Sequence, residues 1–115
     1  MKTVFYLKTC STCKRIMSEL DLEGWKLREL KSQNITPEEL EQLYPLSGSY
    51  EALFSKRSTQ IKARGIDTKQ LTEEDYKALI LDHYSFLKRP IFLKDDAIFI
   101  GNSPKTIEAL KNSLK

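Results

Sequence analysis

The stretch VFYLKTCSTC, residues 4–13, places two cysteines directly after a short apolar run. Residues 4–7 are β-branched, aromatic or aliphatic, a composition typical of a buried strand. Residues 9–12 are small and mostly hydroxylic, which favours a tight loop and the N-terminal cap of a helix. We therefore predict that Cys10 and Cys13 lie where a strand leads into a helix.

The residues after the cysteines extend this pattern. Ile16, Met17 and Leu20 follow at helical spacing, and Gly24 stands where a glycine cap would end the helix. Residues 25–30 then alternate apolar and polar side chains, the period of a half-buried strand. The first part of the chain thus predicts a strand-helix-strand unit with the cysteine pair at its first turn.

The middle of the chain is polar and carries helix signals. Thr36 and Pro37 make a strong helix start, followed by acidic residues in the first turn. We expect this helix to run to about Tyr44, because Pro45 and Gly48 interrupt the pattern.

Two further helices are predicted before the chain returns to strands. A short one covers residues 49–54, and a longer one opens at residues 71–75 and carries His83 on its apolar face. Residues 91–93 and 97–100 then read as strands around a hairpin turn. A last helix follows, with a serine cap at Ser103.

The element order is β-α-β, a helical insertion, then β-β-α. This order predicts an α/β fold of thioredoxin or glutaredoxin type, with a mixed four-stranded sheet. At 115 residues the chain has the common size of one domain. We therefore expect a single domain over residues 1–115, with the insertion at about residues 36–86.

Composition excludes several classes of function. Hydrophobic residues make up 40% of the chain and charged residues 30%, as in globular proteins, and the net charge of +3 is too small to indicate nucleic-acid binding. A single histidine excludes sites built from several imidazoles. No apolar run approaches the roughly 20 residues of a membrane span, and no signal-peptide pattern is found. We expect a cytoplasmic monomer without membrane contact.

The position of Cys10 predicts redox chemistry. A thiol is a weak nucleophile at neutral pH because its reference pKa is about 8.5. The backbone amides and dipole at a helix start favour the thiolate, and Lys8 and Lys14 add positive charge nearby. Cys13, one helical turn on, is close enough to attack a mixed disulfide at Cys10.

Two structural interpretations compete with this one. The cysteines could be half of a zinc site, but no second pair exists and His83 is the only imidazole. They could instead be inert core cysteines, since cysteine is often buried. The polar tetrapeptide and the adjoining lysines argue against an apolar pocket, so we expect no bound metal.

Arg89-Pro90 is the second informative feature. A peptide bond before proline adopts the cis form at modest cost. At the entrance to the third strand of a thioredoxin layout, a cis Pro90 would lie opposite the cysteine loop, and Arg89 would hold a thiolate or an oxyanion. The alternative is a simple break between helix and strand with a surface arginine.

On these residues the chain resembles the ArsC family of glutaredoxin-coupled arsenate reductases, closest to its Spx and YffB-like branch. The segments that carry the resemblance are FYLKTCSTCKR (5–15), LFSKR (53–57), KRPI (88–91) and IG (100–101). The resemblance implies a thioredoxin-like domain with a helical insertion. It also implies a nucleophilic Cys10, and an oxyanion-binding Arg89 joined by Arg57.

The resemblance leaves two functions open. One is a thiol-dependent reductase of an oxyanion or a disulfide, which needs no bound cofactor and takes electrons from glutathione with glutaredoxin, or from thioredoxin. Arsenate reductases carry two further arginines where this chain has Ser55 and Asn102. The other function is an Spx-like redox-sensing regulator that binds the C-terminal domain of the RNA polymerase α-subunit.

Overall fold

The computed structural model describes residues 2–114, which form two compact units. The first unit combines residues 2–33 with residues 89–114, and the second is residues 34–88. That the two form a single domain stays a prediction. The helices and strands, in chain order, are β1 (Lys2–Tyr6), α1 (Ser11–Ser18), β2 (Lys26–Glu29), α2 (Pro37–Ser47), α3 (Thr59–Ala63), α4 (Glu73–Asp82), β3 (Ile91–Lys94), β4 (Ala97–Ile100) and α5 (Pro104–Ser113).

The first unit contains a four-stranded sheet of order β2-β1-β3-β4. β1 is parallel to β2 and antiparallel to β3, and β3 and β4 form an antiparallel hairpin. The predicted mixed four-stranded sheet is therefore confirmed. Phe5 faces Ile91 in the β1–β3 register. If this antiparallel register is continued for two residues beyond Phe5 and Ile91, Leu7 stands opposite Arg89.

One face of this sheet is covered by α1 and α5. Val4 and Phe92 are direct cross-strand partners, so their side chains point to the same face. They form one buried cluster with Ile16 of α1, Leu110 of α5 and Trp25. The Trp25 and Phe92 rings meet edge to face, with centroids 5.7 Å apart. This packing fixes the position of α1, and with it the position of both cysteines.

The prediction that Gly24 caps α1 is wrong. α1 ends at Ser18, and Glu19 follows as its C-cap in right-handed conformation. Gly24, with φ of +84°, lies instead in the turn before β2, where the Trp25 N–H donates to the Leu22 carbonyl oxygen at 3.0 Å. Leu22 and Trp25 both pack on the core cluster, which places Gly24 in the turn between them and not at the end of α1.

In the second unit α2 is longer than the sequence predicts. Its start has the expected capping box at Thr36. The predicted end near Tyr44 is wrong, because the helix continues through Pro45 to Ser47. Gly48, with φ of +86°, then donates its N–H to the Tyr44 carbonyl oxygen at 3.0 Å. Buried leucines before the proline and this glycine cap after it hold both sides of the helix in place.

The end of α4 also differs from the prediction. α4 ends at Asp82, so His83 is not on its apolar face. His83 has extended backbone angles, and its Nδ1 accepts the Ser85 N–H at 3.0 Å, which caps the short 3-10 helix Tyr84–Phe86. That hydrogen bond requires His83 to leave the helix, because a cap residue is not itself helical.

The rest of the second unit is built from short elements around an aromatic core. Phe54 packs on Phe86 and Tyr76, with ring centroids 5.5 and 4.8 Å apart. This part of the second unit also contains α3 and two 3-10 helices, Glu51–Leu53 and Thr68–Gln70. Of these elements only Glu51–Leu53 was predicted, within a short helix at residues 49–54. None of the helices between residues 2 and 114 is both long and apolar enough to cross a membrane.

Candidate active site

Cys10 is the N-cap residue of α1. Its backbone is extended, its N–H donates to the Leu7 carbonyl oxygen at 3.1 Å, and its own carbonyl accepts the Lys14 N–H at 3.1 Å. The Cys10 side chain, half-buried, makes no capping hydrogen bond of the usual kind. A thiol at this position is surrounded by the amides of the first helical turn, which have no partner within the helix.

The environment of Cys10 favours its thiolate. Burial alone would raise the pKa of Cys10, but four other interactions outweigh it and lower that pKa from its ordinary value. They are hydrogen bonds from the Cys13 backbone and the Cys13 thiol, the charge of Arg89 and the Thr12 backbone amide. Cys10 is thus the more acidic thiol of the pair.

Cys13 is fully buried, and its environment disfavours the thiolate. Burial, a hydrogen bond to Cys10 and the charge of Cys10 together raise the pKa of Cys13 to about 12, although the Leu7 backbone amide and Arg89 oppose the rise. Neither cysteine is in a disulfide in this structure. The site therefore holds one ionisable thiol and one protonated thiol that donates to it.

Arg89 and Pro90 lie at the start of β3, beside the cysteine loop. The peptide bond between them is cis, Pro90 is buried, and its carbonyl oxygen accepts the Gly101 N–H at 2.9 Å. Arg89 is half-buried and its charge acts on both thiols. The structure thus brings together four of the predicted site residues: Cys10, Cys13, Arg89 and Pro90.

The other predicted cations, Lys8, Lys14 and Arg57, are all exposed. Lys8 and Lys14 flank Cys10 in the sequence but are exposed, so their charges act through solvent. Of the cations that lower the pKa of Cys10, Arg89 has the largest coulombic effect. Arg57 belongs to the second unit, in the exposed turn before α3. A role for Arg57 in oxyanion binding stays a prediction.

One residue near the site is not indicated by the sequence. The Glu29 carboxylate, at the end of β2, accepts the backbone N–H of Lys8 at 3.0 Å. It also accepts the N–H groups of Lys31 at 3.0 Å and Ser32 at 2.7 Å. Burial opposes ionisation, but these amides lower the pKa of Glu29 to about 2. Apart from the Ser32 side chain, its partners are backbone amides, which leave no side-chain motif in the sequence.

A cavity of about 580 Å³ opens between α1 and α5 in the first unit. Arg15 and Ile16 line it from α1, and Asn102 and Ile107 line it from the loop before α5 and from α5 itself. Within residues 2–114 no group of three or more His, Cys, Asp or Glu side chains is arranged to hold a metal ion.

Comparisons with known proteins agree on a family. The family model described as "ArsC family" matches residues 5–110. The global transcriptional regulator Spx of Staphylococcus epidermidis is 26% identical over 105 residues, which cover 88% of this chain and 79% of Spx. Among solved structures, an ArsC family related protein from Bacteroides fragilis matches with a TM-score of 0.77 and 27% identity, over 95% of this chain and 97% of that one.

A second structure, of a protein named YFFB, matches with a TM-score of 0.76 and 22% identity. It covers 95% of this chain and 97% of its own. These matches confirm the predicted thioredoxin-like α/β fold.

Proposed function

The chain belongs to the ArsC family, in its Spx and YffB-like branch, and from this premise we propose that it is a thiol-dependent reductase with Cys10 as the nucleophile. The observation that carries the proposal is the position of a half-buried Cys10 as the N-cap of α1, where first-turn backbone amides and the charge of Arg89 lower its pKa. A thiolate, unlike a thiol, attacks sulfur and arsenic at useful rates near neutral pH.

With a disulfide substrate the reaction proceeds in two exchanges. The Cys10 thiolate attacks one sulfur of the substrate, the substrate S–S bond breaks, and the released thiolate takes a proton from solvent. Cys13 then loses its proton to solvent and attacks Cys10, which releases the second substrate thiol and leaves a Cys10–Cys13 disulfide. Two electrons from glutathione with glutaredoxin, or from thioredoxin, restore both thiols.

With an arsenate-like oxyanion the Cys10 thiolate bonds to the pentavalent centre and one As–O bond breaks, and that oxygen leaves as water with protons from the oxyanion and from solvent. An external thiol then attacks the Cys10 sulfur and forms a mixed disulfide, and the electron pair of the S–As bond leaves with trivalent arsenic. Arg89 would bind the oxyanion through its planar guanidinium.

The pKa difference between the thiols fits this order of events. Part of the rise in the pKa of Cys13 comes from the charge of Cys10 and from the hydrogen bond between the two side chains. Once Cys10 is in a mixed disulfide it carries no charge, so this part of the rise is lost. Cys13 becomes easier to ionise at the step where its thiolate is needed.

The test is turnover by the reduced protein. We expect reduction of a glutathione mixed disulfide, of arsenate in the presence of glutathione and glutaredoxin, or of both. Cys10→Ser should abolish turnover, and Cys13→Ser, a matched change one helical turn away, should leave the first attack intact. If neither substrate is reduced, or if Cys10→Ser is as active as the unsubstituted protein, the reductase proposal is wrong.

A second candidate function follows from the likeness to proteins named global transcriptional regulator Spx. In this case the Cys10–Cys13 pair would act as a redox switch that controls binding to the C-terminal domain of the RNA polymerase α-subunit. A binding measurement with that domain, on oxidised and on reduced protein, separates the two functions. Binding that depends on the oxidation state would favour the regulator, and no binding in either state would exclude it.

A further inference from the structure

We propose that Glu29 is a positioning residue for Cys10, because its carboxylate anchors the loop between β1 and α1 to the end of β2. The inference rests on the proposed function, since it concerns the same thiol. It assigns to Glu29 a role in holding the amides and the thiol of Cys10 in the geometry that favours ionisation.

The carboxylate joins two segments that are far apart in the sequence. Its Oε2 accepts the N–H of Lys8, two residues before Cys10, and also that of Lys31. Its Oε1 accepts the N–H of Ser32 at 2.7 Å. The bonds to Lys31 and Ser32 close a local turn, whereas the bond to Lys8 reaches across to the cysteine loop. An ionised acceptor makes such bonds stronger than neutral ones.

The anchored loop is directly connected to both thiols. Leu7, the residue before Lys8, accepts the Cys10 N–H at 3.1 Å on its carbonyl oxygen. The Leu7 backbone amide lowers the pKa of Cys13. A shift of the Lys8 peptide would therefore move the groups that fix Cys10 at the helix start.

Glu29 is itself held in place. The Arg28 Nη1 donates to the Glu29 carbonyl oxygen at 2.8 Å and to the Gln33 carbonyl oxygen at 2.7 Å, which braces the turn after β2. The Leu30 N–H donates to the Tyr6 carbonyl oxygen at 2.8 Å and extends the pairing of β2 with β1. A carboxylate on a braced turn can act as a fixed anchor for a neighbouring loop.

Positioning and simple charge have opposite effects, so they can be separated. Glu29 carries a negative charge, and removing that charge would by itself make the Cys10 thiolate easier to form. Loss of the anchor would instead make the thiolate harder to form. Glu29→Asp keeps the charge but draws the carboxylate back from Lys8 by one methylene, and Glu29→Gln keeps the length of the side chain but removes the charge.

The experiment measures the alkylation rate of Cys10 by iodoacetamide against pH, with the labelled residue located by mass spectrometry. In Glu29→Asp we expect the pKa of Cys10 to rise by about half a unit or more, which slows alkylation roughly threefold well below that pKa. In Glu29→Gln the pKa should also rise, by less. Glu23→Gln, an exposed acid before β2, is the matched control and should change nothing.

The outcomes distinguish this inference from the proposed function. An ordinary pKa of Cys10 in the unsubstituted protein would overturn both. A lowered pKa that is unchanged in Glu29→Asp would overturn the role of Glu29 alone. If Glu29→Asp does not fold, as judged by circular dichroism, Glu29→Gln decides the matter, because a fall in its Cys10 pKa would show that only charge acts.

Discussion

Cys10 and Cys13 are three residues apart on one helix, and the structure gives their thiols opposite tendencies. Cys10 stands before the first turn, where backbone amides point at its sulfur and the charge of Arg89 adds to them. Cys13 is one turn further on and fully buried, so the cost of removing its thiolate from water dominates. The division into attacking and resolving thiol therefore follows from position along α1.

Arg89 offers a direct test of this electrostatic explanation. Arg89→Gln removes the largest single cationic contribution to the Cys10 thiolate, so we expect the pKa of Cys10 to rise by about 0.5–1 unit. Arg89→Lys keeps a charge without the planar guanidinium and should give a smaller rise. The measurement is the rate of Cys10 alkylation between pH 5 and pH 9.

The matched control is Arg15→Gln, since Arg15 lies on the exposed side of α1 and pairs with Glu19 at 3.3 Å. It should leave the pH profile in place. A profile that moves as much in Arg15→Gln as in Arg89→Gln would point to general surface charge rather than to the arginine next to the thiols.

At the scale of elements, the sequence predicts helix starts better than helix ends. Thr36 and Ser103 cap α2 and α5 as expected, because a hydroxyl that accepts an N–H in the first turn is a local signal. The end of a helix depends on the contacts that the following residues make with the rest of the protein. The apolar pattern before Gly24 predicts that this glycine ends α1, but the core position of Trp25 places it in a later turn.

The site shows the same limit. Cys10, Cys13 and Arg89 carry side-chain chemistry that is visible in the sequence, and the resemblance to a family indicated their roles. Glu29 was missed because it binds backbone amides, and the Lys8 amide becomes its neighbour only when β2 pairs with β1. Contacts of this kind require the register of the sheet, which periodicity alone does not give.

Pro45 gives a prediction for α2. A proline inside a helix has no N–H to donate to the carbonyl four residues earlier, here that of Glu41, and its ring crowds that carbonyl. Pro45→Ala restores the N–H donor at an exposed position, so we expect the free energy of unfolding to increase by about 1–2 kcal/mol. This is less than the full cost of proline inside a helix, because the substitution also gives the unfolded chain more conformational freedom.

The measurement is urea unfolding of Pro45→Ala beside Gln42→Ala, an exposed position on the same helix. The control should change the free energy of unfolding by less than about 0.5 kcal/mol. A loss of stability in Pro45→Ala would mean that the proline fixes a bend that the packing of α2 needs.

At the scale of the whole molecule, the insertion separates the two halves of the site along the chain. Cys10 precedes residues 34–88 and Arg89 follows them, and the antiparallel pairing of β1 with β3 brings the two together. The first unit is therefore discontinuous in sequence. Its two halves are connected through residues 34–88, which the chain must span before β3 can pair with β1.

This connectivity predicts that both units unfold in one cooperative step. Residues 34–88 are fewer than the roughly 60 at which a domain is marginal alone. If they unfolded first, the first unit would have to close a long disordered loop, at a cost in entropy.

Leu43→Ala in the second unit and Leu110→Ala in the first, both fully buried, should each cost about 2–5 kcal/mol and lower the midpoint of the same calorimetric transition. Two separate transitions, each shifted by only one of these substitutions, would show that residues 1–115 form two domains and not one.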